Sequence, residues 1–455
     1  MFSRVLIANR GEVAVRVIRA CRELGVEAVA VYSTADRDSL HVRLADRAVH
    51  IGPPAAGQSY LSMPSLVAAA TTTGCEAVHP GWGFLAENAE FAAHCEDNDV
   101  AFIGPRPDSI AVMGDKVRAK ESMAAAGLPL VPGSDGAASL DEARSLAGEI
   151  GFPLLLKASA GGGGRGMRLV GSADELERAF RTASAEAEAA FGDGSLYVER
   201  ALVGARHVEI QVLGDGEGGA LTLGERDCSI QRRHQKLVEE APSPAVTPEL
   251  RTEMEDAARR AVEALRYRGA GTLEFLLDAD GHFYFIEMNT RLQVEHPVTE
   301  LVTGIDLAHA QFRIAAGEGL PGEGRAELRG HALEFRINAE DPARDFLPAP
   351  GTVERFHPPL GPGVRVDTHV VDGYTIPPFY DSLVAKVIVW AESRPAAVAR
   401  ARRALSEFEL TGVPTTCGLA ADILETEEFT SGRYTTGFIA EAAARLPALR
   451  GREAA

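Results

Sequence analysis

The sequence predicts an α/β protein, α+β in parts, built as about three domains. Three observations carry this. The 455 residues exceed what one hydrophobic core organises, at roughly 150 residues per domain. Residues 4–32 run as apolar strand, tight turn, amphipathic helix and apolar strand, the opening of a doubly wound sheet. An apolar content of 45% is ample for several buried cores.

The elements follow in order. Arg4–Asn9 reads as a buried strand, Glu12–Leu24 as a helix ended by Gly25, and Val26–Tyr32 as the next strand. Similar units recur through Ala77–Val78 and Ala101–Ile103. The first turn, Asn9-Arg10-Gly11-Glu12, is not G-x-G-x-x-G, so this part reads as a structural α/β domain without a dinucleotide site. Pro129, Pro132 and Gly133 mark a boundary. A helix (Ser139–Ile150), a strand (Pro153–Ala158), a glycine-rich turn, a strand (Met167–Val170) and another helix come next, and Leu196–Glu199 begins a long stretch of sheet. Pro242, Pro244 and Pro248 precede a helix over Glu249–Tyr267. From His331 short strands alternate with Pro/Gly turns and end in a helical tail, with Arg445–Ala455 expected to fray.

Composition excludes several functions. No run of about 18 apolar residues exists, so no membrane span is expected. Met1-Phe2-Ser3-Arg4 leads straight into a strand without a signal-peptide pattern, which predicts a cytoplasmic protein. The five cysteines lie far apart with no C-x-x-C pair, against a zinc ribbon or a disulfide framework. A net charge of −19 disfavours nucleic acid and anionic membranes as partners. It also requires any phosphate site to be a local island of positive charge.

The turn Gly161-Gly162-Gly163-Gly164-Arg165-Gly166 joins two strands, with Lys157 near the end of the first. Bare backbone N–H groups can close over phosphate oxygens, and the lysine adds a point charge. A linker would look the same, and no Gly-Lys-Ser/Thr follows. Placed between strands, the glycines suit a lid better than a fixed cradle.

Gly271–Glu287 is physically the most informative stretch. Asp280-Gly281 between apolar runs signals a two-residue hairpin turn. That register pairs residue 279 with 282 and therefore Glu274 with Glu287. Opposed carboxylates, with Cβ atoms about 5 Å apart, destabilise a sheet. At an effective dielectric near 20, unit charges about 4 Å apart repel by roughly 4 kcal/mol. A proton or a divalent cation relieves this, and an oxygen-only site suits Mg²⁺. If the chain stays extended, Glu287, Asn289, Arg291, Gln293 and Glu295 face one way and Met288, Leu292 and Val294 the other. A solvated face would alternate identically, but this row mixes metal-type oxygens, an anion-binding fork and a base. Glu225–Lys236 is the densest basic cluster of an acidic chain, and a solvated face is its ordinary reading; His234 within it reads as a structural histidine unless it has a ligand.

These segments together resemble biotin carboxylase, of the ATP-grasp superfamily, over nearly the whole chain. The matching stretches are Ile7–Glu12, His79–Gly83, Lys157 with the glycine turn, Arg206–Glu209, Glu225–Lys236, Phe285–Glu300 and Arg336–Asp341. The most specific are Asn289–Pro297 and Gln231–Lys236. The resemblance implies a Rossmann-like pre-ATP-grasp domain (1–115), an ATP-grasp domain (116–330) with a glycine-rich lid (131–203), a C-terminal mixed β/α domain (331–445) and a disordered tail (446–455).

It also implies roles. Lys116, Lys157, Gly162, Gly163, Gly164, His207, Gln231 and His234 would hold ATP, with Glu199 and Leu202 at the adenine edge. Glu274, Glu287 and Asn289 would hold two Mg²⁺, for which Mn²⁺ could substitute. Arg291, Gln293 and Val294 would bind bicarbonate, and Lys236 would bridge it to the γ-phosphate. Glu295 would deprotonate bicarbonate, and Arg336 would stabilise the biotin enolate. The expected activity is the first half-reaction of an acetyl-CoA or other acyl-CoA carboxylase, as in fatty acid biosynthesis. No methionine is adjacent to a lysine, so the Ala-Met-Lys-Met attachment site is absent, and a biotin carboxyl carrier protein and the carboxyltransferase are expected in trans. A homodimer is implied by the family alone. Family members often carry glycine where Ala160 stands and lysine where Arg200 stands. Another carboxylate–amine ligase would share the lid and metal pair but lack the Arg291–Glu295 row and Arg336. A silent assembly subunit would not need Lys116, Lys236 and Glu295 intact.

Overall fold

The computed structural model describes residues 1–134, 138–159 and 167–450. The lid residues Gly162, Gly163 and Gly164, and Ala160 before them, lie outside the described residues. The N-terminal unit is a parallel sheet of β1 (Arg4–Ile7), β2 (Glu27–Ser33), β3 (Arg47–Gly52), β4 (Ala77–His79) and β5 (Ala101–Phe102), in the order β3-β2-β1-β4-β5. This is the doubly wound arrangement expected from residues 4–32. Helix α1 (Gly11–Leu24) covers it and stops at Gly25, whose φ of 70° suits glycine.

After α2 (Lys116–Ala125), a small unit packs α3 (Leu140–Ile150) and α4 (Ala173–Phe191) on an antiparallel sheet of β6 (Leu154–Ala158), β7 (Met167–Val170) and β8 (Leu196–Arg200). Ser139 starts α3 with a reciprocal capping bond to Glu142.

The rest is organised by one nine-stranded sheet. Its strands are β9 (Arg206–Asp215), β10 (Ala220–Arg232), β11 (Gln235–Ala241), β12 (Arg268–Leu277), β13 (Phe283–Asn289), the two-residue β14 (Gly324–Arg325), β15 (His331–Asn338), β16 (Val364–Thr368) and β17 (Leu383–Ala391). The main path runs β13-β12-β9-β10-β11-β15-β17-β16, with β14 beside β10. The sheet therefore crosses residue 330 without a break. Helix α5 (Pro248–Ala264) backs β9 and β12 through Met254, Ala258 and Val262.

Two expectations need correction. The helix expected to reach Tyr267 ends at Ala264, because Arg266 takes a left-handed φ of 46° and turns the chain into β12. Residues 445–450 do not fray: Leu446 is fully buried, and the Ala448 N–H donates to Asp422 at 2.7 Å. Among the described residues, no helix is long and apolar enough to cross a membrane. All five cysteines are free thiols, four of them buried.

Candidate active site

Strand register builds the site floor. β12 pairs with β9 so that Glu274 lies opposite Glu209 and Thr272 opposite Gln211. Alternation sends these side chains to one face and Val208, Ile210, Leu273 and Phe275 to the core beneath. Arg226 on β10 stands opposite Glu209 and is fully exposed to none of the solvent. Its Nε donates to Glu209 at 2.6 Å, Nη1 to Gln211 at 2.7 Å and Thr299 at 2.9 Å, and Nη2 to Thr272 at 3.1 Å. One planar fork thus ties three strands to α6 (His296–Thr303). Arg226 and Glu209 lie in stretches singled out in the sequence but were given no role there, since a charge run reads first as a solvated face.

Lys236, near the start of β11, reaches over this floor. Its ammonium donates to Glu209 at 2.6 Å, Glu274 at 2.8 Å and Glu295 at 2.6 Å. Arg336 on β15 donates Nη2 to the second oxygen of Glu295 at 2.9 Å and Nε to Glu239 at 2.5 Å. Burial pushes the Glu295 carboxyl up, but Lys236, Arg336 and Arg226 outweigh it and hold the group well below the usual carboxylate range. His207 stands 2.9 Å from Glu274; burial lowers the imidazole, yet the Glu274 charge wins and raises it.

The hairpin delivers the expected carboxylate pair by a different route. Glu274 is opposite Glu287, but nearer the turn Phe275 pairs with Phe285 and Leu277 with Phe283. The loop is therefore not the two-residue turn expected. Asp278 and His282 close a three-residue loop, with Gly281 at φ 86°, and a bulge at Ile286 restores the Glu274–Glu287 register. Glu274 is buried, while Glu287 opens to solvent in the cleft. The surrounding protein and then the Glu274 charge push the Glu287 carboxyl up. Asn289 donates to Glu274 at 2.9 Å. Two crowded carboxylates and an amide oxygen form the all-oxygen donor set that fits Mg²⁺.

The condition that the chain stay extended after Asn289 is not met: β13 ends there, and Glu295 is the residue before α6. The polar row converges nevertheless. Arg291 donates to Asn289 at 2.9 Å and to Gln293 at 3.0 Å, and its Nε bonds Glu87 at 2.8 Å. Gln293 and Val294 are buried, and the Val294 carbonyl accepts from Lys386 at 2.7 Å. Glu87, which also receives the Thr290 N–H at 2.9 Å, carried no sequence signal.

At the other end of the cleft, Lys157 and Lys120 both bond the buried Glu199 carboxylate, and Lys116 reaches the Ala158 carbonyl at 3.5 Å. Burial would raise Glu199, but the two lysines lower it. Leu202 is half-buried just after β8, and Gln231 is buried on β10. His234 is exposed at the two-residue turn between β10 and β11, where Arg233 and His234 have φ of 49° and 66°. Positive φ at both central residues is what a two-residue type I′ hairpin turn requires. The neighbouring Arg232 and Arg233 engage Asp345 instead of solvent alone. The Asn9–Glu12 turn, with Trp82 and His369, lines a cavity of about 210 Å³.

These arrangements agree with comparisons to known proteins. Residues 1–110 match the biotin carboxylase N-terminal domain, 115–323 the carbamoyl-phosphate synthase L chain ATP-binding domain, and 334–441 the biotin carboxylase C-terminal domain. The chain is 55% identical to a biotin carboxylase of Nostoc sp. (strain PCC 7120), over 97% of this chain and 99% of that one. It superposes on the biotin carboxylase domain dimer of Hydrogenobacter thermophilus 2-oxoglutarate carboxylase, solved with MgADP, ADP and bicarbonate. There the TM-score is 0.92 and the identity 49%, covering 98% of this chain and 99% of that one. For the Campylobacter jejuni biotin carboxylase–β,γ-ATP complex these values are 0.93, 45%, 97% and 99%. With such likeness across all three units, the chain belongs to the biotin carboxylase family.

Proposed function

We propose that this protein carboxylates biotin, carried on a separate biotin carboxyl carrier protein, using ATP and bicarbonate with carboxyphosphate as intermediate. The observation that carries the reading is the pairing of Glu295 with Lys236 on one oxygen and Arg336 on the other, at the head of the Arg291–Gln293 row. A peptide-forming ligase has no use for a buried base framed by two anion-binding cations.

ATP lies along Lys116, Lys157, His207, Gln231 and His234, with its adenine edge at Glu199 and Leu202. Glu274, Glu287 and Asn289 hold Mg²⁺, which when bound neutralises the charge of the phosphates. Arg291, Gln293 and Val294 seat bicarbonate, and Lys236 spans from it to the γ-phosphate. Glu295 takes the bicarbonate proton, and the freed oxygen attacks the γ-phosphorus as ADP leaves. Carboxyphosphate then splits into CO₂ and phosphate. Phosphate removes the ureido N–H proton of biotin, Arg336 stabilises the enolate charge, and the nitrogen attacks CO₂. Lys236 and Arg336 are both placed on Glu295 at rest, so bound anions that draw Lys236 away make Glu295 more basic.

The division at 115/116 and 330/331, the carboxyltransferase in trans, the homodimer and the cytoplasmic setting belong to this reading. It is supported by the dimeric Hydrogenobacter domain and by the five free thiols. The test is ATP cleavage by the isolated chain with labelled bicarbonate and free biotin. ADP formation that depends on both, with labelled carboxybiotin as product, is expected. Hydrolysis indifferent to biotin, with no labelled product, would refute the assignment.

A further inference from the structure

Two buried carboxyls behind Arg336 have no part in the steps above. Glu239 on β11 and Glu334 on β15 stand directly opposite each other in register, both with 0% exposure. Glu239 accepts the Arg336 Nε–H through one oxygen. Its other oxygen and both oxygens of Glu334 lack a hydrogen-bond partner among the described residues. The nearest lysine is committed elsewhere: Lys386 donates to the Val294 carbonyl at 2.7 Å and lies 3.3 Å from Glu12. Two ionised carboxylates facing each other in a dry sheet repel, and one retained proton removes the conflict. Burial pushes the Glu239 carboxyl up, and the Arg336 guanidinium bonded to it opposes this. Glu334 has no cation bonded to it and is pushed well above the carboxyl range, so the proton sits there.

We infer that Glu239, paired with a neutral Glu334, is the positioning residue that keeps Arg336 aimed once Glu295 has been protonated. Arg336 has two carboxylate partners at rest, Glu295 and Glu239. When Glu295 accepts the bicarbonate proton, its charge-assisted hold on Nη2 weakens. Glu239 holds a different nitrogen of the same guanidinium edge, Nε, so its bond does not depend on the charge of Glu295 and persists. The guanidinium is then fixed in place at the moment when negative charge develops on biotin.

This inference rests on the roles of Glu295 and Arg336 given above, and the experiment separates the two. Glu239→Gln in the full chain keeps the side chain's shape and removes its charge. Biotin carboxylation should fall about 10–100-fold in kcat, the size of loss that follows from misplacing a catalytic group. ADP formation from ATP and bicarbonate without biotin, and the KM for ATP, should stay within about threefold of wild type, which also reports an intact fold. Glu334→Gln should cost carboxylation far less. Unchanged carboxylation in Glu239→Gln, or equal loss of both activities, would overturn the inference. So would a loss in Glu334→Gln as large as in Glu239→Gln, because both carboxyls would then act ionised. Absence of carboxybiotin with the wild-type chain would instead sink the functional reading itself.

Discussion

Glu295→Gln removes the carboxylate that touches both Lys236 and Arg336 while keeping its volume. The structure limits the damage to stability. Lys236 retains Glu209 at 2.6 Å and Glu274 at 2.8 Å, and Arg336 retains Glu239, so neither buried cation is orphaned. The expected cost is that of weakened charge-assisted hydrogen bonds, about 1–3 kcal/mol, below the roughly 3–5 kcal/mol of a broken buried pair. On the proposed role, catalysis loses its proton acceptor, worth on the order of 10²–10⁴ in rate. At 1.36 kcal/mol per tenfold this is about 2.7–5.4 kcal/mol of barrier. Glu295 does not contact Lys116, Lys157 or Glu199, so nucleotide affinity should stay within about threefold. ADP release with labelled bicarbonate and equilibrium ATP binding measure the two separately. Because Lys236 and Arg336 hold the resting carboxyl far below its ordinary range, it stays ionised in the free enzyme. The wild-type kcat/KM for bicarbonate should therefore show no acidic limb from Glu295 above about pH 5. A variant rate within about fivefold of wild type, or a tenfold loss of ATP affinity, would refute the assignment of the base.

Two further predictions concern the scaffold. Arg226→Met leaves Glu209, Gln211, Thr272 and Thr299 without their shared donor. Urea unfolding should show a loss of about 3–5 kcal/mol, and a loss under about 1 kcal/mol would contradict the network. Glu240 is buried against His331 at 2.6 Å and Arg394 at 2.7 Å, and these bonds outweigh burial and lower its carboxyl to about 2. Its folded value lies below the unfolded one, so its contribution is present above about pH 4.5 and is lost as pH falls towards 2. The shift corresponds to about 3 kcal/mol. Glu240→Gln should be less stable than wild type at pH 7, with the gap closing across that acid window; a gap that widens on acidification would show the sign to be wrong.

Much of the fold was legible because its signals are local. Gly25 ends α1, Ser139 caps α3, and the doubly wound opening follows from three short segments. The hairpin is more instructive. Asp280-Gly281 suggested a two-residue turn, and the loop has three residues, but the bulge at Ile286 adds the residue that the turn reading miscounted. Glu274 therefore meets Glu287 as expected, through two errors of register that cancel. Alternation could not show that Glu225–Gln231, the first part of the basic run, is inside. A polar face looks the same whether water covers it or α6 and neighbouring carboxylates do. Glu87, Glu239 and Lys120 were out of reach for the same reason: their partners lie 204, 97 and 79 residues away in sequence.

The resting site is a chain of alternating charges: Glu239, Arg336, Glu295, Lys236, Glu209 and Arg226, each in contact with the next. In this state each charge contacts one of opposite sign, and the proposed base is at its weakest because two cations share it. In the proposed mechanism, anionic substrates enter by competing for those cations. Bicarbonate and the terminal phosphate together offer Lys236 more negative charge than one carboxylate does, and each contact they gain is one that Glu295 loses. As Lys236 shifts, burial no longer has an opposing charge of the same size, and the Glu295 carboxyl rises towards the value at which it can hold a proton. The base is thereby activated only when both substrates are in place. The continuity of the sheet matters to this coupling, since Lys236 on β11 and Arg336 on β15 are fixed by direct pairing of those strands, Glu239 against Glu334. A site assembled from two independently moving units would not keep Arg336 beside Glu295 while Lys236 shifts, and the guanidinium would be lost from the place proposed for the biotin charge.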